Sequence, residues 1–214
     1  MLFRIALIAL ALTLGCYGLL SEAVEWNAAA RPTFPSGPEN IAAPSGDVPA
    51  WSGRIPLFRS DLQSNDALII ALQAIQGGRL GTGASNDQAR SRVRQALSAA
   101  PYDAELWLAL ALLETQRAPN SQAAIEALKL AYFTAPNDAR LMPVRLDTAT
   151  ASDALVDPEL AELARGDVRL MLMRRPELKT AIVLSYRRAS KQGKAFLEQA
   201  VQTIDPSFVA ALRS

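Results

Sequence analysis

Few residues in this chain have the types and spacing for chemistry. The segment Gly78–Ser85 reads G-R-L-G-T-G-A-S and has the Gly-rich texture of a loop that cradles phosphate. Such a loop needs Lys in the place of Ala84, to reach the outer phosphates, and a strand ahead of it. Both are missing, so the segment is expected to be a flexible inter-helix loop. Ser185 and Lys191 would form a Ser–Lys dyad, but an offset of six residues separates their faces on a helix. The chain contains no His. That removes the commonest general base, the usual metal ligand and every His-paired nucleophile. Cys16 is the sole cysteine, so neither an intrachain disulfide nor a Cys-rich metal site can form. The expectation is a protein without catalytic residues, cofactor or metal, and not an enzyme.

Charge gives a second set of candidates. From Leu160 onward, ten Lys or Arg stand against five acids. The densest pieces are Arg174-Arg175 and the set Arg187, Arg188, Lys191 and Lys194. One reading is a solvated face with cations near helix C-termini, where the dipole favours them. The other is contact with anionic lipid head groups, an acidic glycan or an acidic partner. The whole chain has a net charge of +1 and is 50% apolar, which argues against bulk nucleic-acid binding.

The elements that would position these residues begin with an apolar run, Leu2–Leu20. Its nineteen residues span roughly 28 Å as a helix, about one hydrocarbon core. Arg4 precedes it and Glu22 and Glu25 follow, which leaves the N-terminus in the cytoplasm. An uncleaved signal anchor is the first reading. A signal cleaved at Ser21-Glu22-Ala23 is the second. A lipoprotein signal around Thr13-Leu14-Gly15-Cys16 is the third, with Thr where Leu is usual. Each gives export to a bacterial periplasm, and the first gives a single-pass inner-membrane protein. Pro32, Pro35, Pro38, Pro44, Pro49 and Pro56 follow within 25 residues, a density that forbids helix and makes an extended, disordered tether. Trp26, Trp51 and Phe58 could pack on the membrane interface or on the folded domain. The boundaries are 1–22 for the signal segment, 23–59 for the linker, 60–150 for helical repeats and 151–214 for a C-terminal helical cap.

Within the repeats a segment occurs twice, 35 residues apart. Ala89, Val93, Ala96, Pro101, Asp103, Ala104 and Leu106 return as Ala124, Leu128, Ala131, Pro136, Asp138, Ala139 and Leu141. The opening Asn65-Asp66-Ala67 returns as Tyr102-Asp103-Ala104 and Asn137-Asp138-Ala139. Periodicity predicts helix one over Ser64–Gln76, stopped by Gly77-Gly78. Helix two opens on the capping box Ser85-Asn86-Asp87-Gln88 and closes at Pro101. Helix three is capped by Asp103 and carries Trp107, which reads as a core residue. Helix four is capped by Asn120 or Ser121. Helix five opens at Asp138.

Here the chain resembles the tetratricopeptide repeat family. Trp107, Leu110 and Ala111 match the family's first-helix pattern. Ala124, Leu128, Ala131 and Pro136 match its second-helix pattern, as do Ala89, Val93, Ala96 and Pro101. Small Ala residues let helices approach closely and bulky ones fill the gaps. The match covers Asn65–Leu146, about 40% of the chain. The period exceeds the family's ~34 by one. Glu114 stands where an aromatic is usual, and Ile70 and Met142 hold the Trp position in the outer copies. The resemblance implies an all-α, TPR-like antiparallel helix-pair solenoid. It also implies a concave ligand face lined by first helices, with Glu105, Leu108, Leu112 and Arg140 exposed there.

After Asp153 helices continue without the repeat. Asp157-Pro158-Glu159 opens one that runs to Met173 and buries Leu160, Leu163, Val168, Leu170 and Leu172. Pro176 opens the next, Gly193 separates it from a helix ending near Ile204, and Asp205-Pro206 starts a last short one. They are expected to cap the solenoid. The functional expectation is a membrane-tethered periplasmic adaptor or scaffold for a cell-envelope assembly. The layout resembles that of small repeat proteins of envelope polysaccharide synthesis or export. The alternatives are a direct binder of anionic glycan or lipid through the basic tail, and third an envelope hydrolase or transferase.

Overall fold

The computed structural model describes residues 4, 8, 10–19, 22, 33–35, 37, 60–80 and 86–213. The described residues contain no strand: the fold is all-α. Residues 10–19 are helical and exposed. Among the described residues no helix is long and apolar enough to cross a membrane. Part of the Leu2–Leu20 run lies outside them, as do Ser85, Trp26, Trp51, Phe58 and most of the Pro-rich segment. Phe34 is one of the few described residues in that segment. It is buried and belongs to the domain's hydrophobic core.

Four helices carry the repeated sequence: α1 (Ser60–Leu80), α2 (Asn86–Ala99), α3 (Ala104–Arg117) and α4 (Gln122–Thr134). Helix α1 packs on α2 and also on α3, and α3 packs on α2 and α4. Alanine makes these approaches possible: Ala71, Ala89, Ala96, Ala111 and Ala131 are all fully or almost fully buried. Gly77-Gly78 does not stop α1, which runs on to Leu80. Instead, Gly78 makes room for α3. A Cβ there would lie 2.8 Å from Gln116 Oε1. The Gln116 amide donates to the Ile75 carbonyl at 2.8 Å, tying the two helix ends together.

The caps follow the sequence closely. Asp103 Oδ1 accepts from the backbone N–H groups of Glu105 and Leu106. Ser121, not Asn120, caps α4, and Asn120 accepts instead from the Asp153 N–H. The fifth helix departs from expectation. Asp138–Leu141 is a turn, and α5 is Met142–Thr150. Pro143 explains the delay. It lacks an N–H and would clash inside a helix begun at Asp138, but it is tolerated in the first turn of one begun at Met142.

Four further α-helices follow among the described residues: α6 (Pro158–Met173), α7 (Lys179–Arg188), α8 (Lys191–Ile204) and α9 (Val209–Arg213). Helix α5 is packed by α6, α7 and α8. Helix α6 has the expected bounds and the expected Asp157 cap on the Leu160 N–H. Leu160, Val168 and Leu172 are buried, whereas Leu163 and Leu170 are half-buried. Gly193 does not separate two helices. It sits in the first turn of α8, capped by Ser190 Oγ, and the break falls at Ala189-Ser190. A Cβ on Gly193 would collide with the Thr150 carbonyl, which accepts from the Ser190 N–H. Only glycine lets α8 start against the end of α5.

Charged side chains lock the helices across this core. Glu114 is buried and paired with Arg90 at 3.2 Å and with Arg94. Its partners thus come from α2. Lys129 on α4 reaches Asp157 at 3.3 Å and Glu159 at 3.0 Å on the opening of α6. Arg145 on α5 is fully buried. It pairs with Asp167 through Nη2 at 3.0 Å and Nε at 3.2 Å. Its Nη1 donates to the Ala131 and Ala135 carbonyls at the end of α4, and its plane lies 4.5 Å over the Tyr132 ring. Burial pushes the Asp167 carboxyl up, to about 7, against the pull of Arg145.

Candidate functional site

The repeat brings two equivalent loops side by side. Pro101-Tyr102-Asp103-Ala104 joins α2 to α3, and Pro136-Asn137-Asp138-Ala139 leads from α4 towards α5. Each follows a second helix closed by proline and carries an aspartate that turns the chain. Between them opens a concavity of about 460 Å³, lined by Tyr102, Asp103, Glu105, Thr134, Asp138 and Arg140 among others. Trp107 Nε1 donates to the Pro101 carbonyl at 2.8 Å and fixes the first loop against α3. Trp107 is half-buried and packs against the core from outside it.

Arg140 dominates the charge of this concavity. Its Nη2 meets Asp138 Oδ2 at 2.7 Å, and its Nη1 lies 3.5 Å from Glu105 Oε1. The hydrogen bond from Arg140 is the main reason the Asp138 carboxyl sits below its ordinary range. The same bond raises the Arg140 guanidinium. Both groups are therefore fully charged at neutral pH. Arg140 and Glu105 occupy equivalent places in successive repeats, so the period itself sets this pair.

The four residues expected on the ligand face do not share one surface. Arg140 is exposed, Leu112 is half-buried against the core, and Leu108 is fully buried. Glu105 is buried apart from its edge on the concavity. The correction has a simple cause. Helix α3 touches α1, α2, α4 and α5, and it is apolar nearly all round, so it has no free concave side. Tyr102 was not singled out from the sequence, yet it is among the most exposed aromatic side chains. Its place in the first loop, within the repeated spacing of Pro101 and Asp103, is the signal that points to it.

The basic residues form two groups rather than one patch. Arg174 and Arg175 lie before α7, whereas Arg187 and Arg188 end it and Lys191 opens α8. Ten residues of helix hold the groups roughly 15 Å apart. Arg188 donates to Asp147 at 2.7 Å on α5, and Lys194 lies over the Tyr186 ring. Arg175 stands 3.8 Å from Glu177. Arg174, Arg187 and Lys191 are exposed and form no ion pair among the described residues. Ser185 is buried and Lys191 exposed, which sets the two apart. Among the described residues no group of three metal-ligating side chains converges. Of the Gly-rich segment, Gly78–Leu80 belongs to α1 and residues 81–85 lie outside the described residues. Compared with known proteins, the chain matches no family model, no curated protein and no solved structure.

Proposed function

We propose that the protein is a non-enzymatic adaptor or scaffold, a TPR-like helical-repeat domain tethered to the bacterial inner membrane and facing the periplasm. It would serve a cell-envelope assembly, with polysaccharide synthesis or export as the candidate process. One observation supports this reading above the others. Two consecutive repeats place equivalent loops on either side of one polar concavity, with an exposed aromatic at its rim. Stacked helix pairs usually present such joints to other molecules. The apolar Leu2–Leu20 run and the proline-dense segment support the tether and the periplasmic location.

A second reading is favoured by the exposed cations Arg187 and Lys191, which have no carboxylate partner among the described residues. They would contact an anionic glycan or lipid head group directly. Chemical crosslinking in intact cells, followed by identification of what is captured, tests the first reading. A reproducible protein partner is expected, and recovery of none would sink it. Charge reversal of Arg187, Arg188 and Lys191 separates the two: partner capture survives under the first, and vesicle or glycan binding vanishes under the second.

A further inference from the structure

We propose that the concavity between the two inter-repeat loops receives a basic side chain, an arginine or lysine carried on an exposed segment of the protein partner. This deepens the adaptor reading and rests on it. The chain supplies its own stand-in guest. The Arg140 guanidinium already lies between Asp138 at 2.7 Å and Glu105 at 3.5 Å. The arrangement of these two carboxylates therefore fits a planar cation.

The balance of exposure says which part gives way. The side chains of Glu105 and Asp138 are only 11% and 23% exposed, whereas that of Arg140 is 63% exposed. The acids are held by the fold, and the arginine is a surface arm laid over them. Ion pairs made by so exposed an arm are weak, so swinging it into water costs little. A partner cation that takes its place gains two fixed carboxylates. Tyr102, 86% exposed at the rim, adds a free aromatic face for a cation to stack on. Asp103 is spent on the cap of α3. Its lining holds three acids and one arginine, which disfavours an acidic segment. The basic residues of the C-terminal helices line no part of it.

The test is a titration of the purified full chain with two blocked pentapeptides, Gly-Gly-Arg-Gly-Gly and Gly-Gly-Glu-Gly-Gly, followed by amide chemical shifts. The arginine peptide is expected to bind in preference, with shifts around residues 102–105 and 138–140. Arg140→Ala is expected to tighten that binding about two- to fivefold, because it removes the internal competitor. Tyr102→Ala, at a surface position that cannot unfold the domain, is expected to weaken it, as is Glu105→Gln. Weaker arginine-peptide binding in Arg140→Ala, a preference for the glutamate peptide, or no binding by either protein overturns the proposal. These outcomes are independent of capture in cells. A partner captured with the wrong peptide preference overturns only the cation assignment. Correct peptide binding with no captured partner overturns the adaptor reading instead.

Discussion

The residue that most shapes this molecule is Arg145, and nothing in the repeat pattern marks it. It fills the place where α4, α5 and α6 meet and satisfies two carbonyls and one carboxylate at once. Removing one partner of a buried pair typically costs about 3–5 kcal/mol, because the other charge is stranded. Arg145→Met is expected to lose about that much in urea unfolding, and the double variant Arg145→Met/Asp167→Leu to recover most of it. The Asp167 carboxyl adds a pH signature. Its folded value, about 7, lies above the ordinary value of 3.8. Its contribution is therefore fully present below about pH 4 and declines as pH rises through 7. Asp167→Asn should flatten that part of the stability profile. The buried Tyr132 hydroxyl has no hydrogen-bond partner among the described residues. Tyr132→Phe should be neutral or stabilising by up to about 1–3 kcal/mol, read as a rise in melting temperature.

Element boundaries were legible at several caps and first-turn prolines in the sequence. Asp103, Ser121 and Asp157-Pro158 each open a helix where their chemistry requires. The two misjudged breaks at glycine share one cause. Gly77, Gly78 and Gly193 read locally as breaks, but Gly78 and Gly193 are needed for close approach to Gln116 and Thr150, which are distant in sequence. Asp138 failed as a helix start for a local reason, because Pro143 delays the opening of α5 to Met142. The expected ligand face failed for a tertiary reason, because periodicity shows that α3 is apolar but not that helices cover it on every side. Gly193→Ala is expected to cost at least about 1–3 kcal/mol, since backbone rather than a flexible side chain blocks the methyl. At the opening of α6, Asp157 is held below its ordinary range, chiefly by the Leu160 N–H and then by Lys129. A lowered carboxylate stabilises above the unfolded value and loses that contribution as pH falls through the folded one. Acid melts followed by circular dichroism should therefore show the stability carried by this cap fading below about pH 4, and Asp157→Ala should lack that limb.

At the scale of the whole molecule, the repeats do not stand alone. Helix α5 continues their sequence but is covered by α6, α7 and α8, and Asp167 from α6 is the counter-ion of its buried arginine. A chain ending at Thr150 should fail to give a cooperative unfolding transition. Phe34 extends the domain in the other direction, from within the proline-dense segment into the core. Only thirteen residues separate it from Leu20, the end of the apolar run. A domain anchored at Phe34 would therefore reach at most roughly 50 Å from that point. The proposed binding surface is the loop end of the repeats. The central claim is that this end meets a protein partner. The direct measurement places a photo-crosslinking amino acid at position 102 or, as a control, at the exposed Arg169 of α6, in the full chain in intact cells. A discrete protein adduct from position 102, absent from position 169 and reduced by Glu105→Gln, is the predicted result. No adduct from position 102, or the same adducts from both positions, would contradict it.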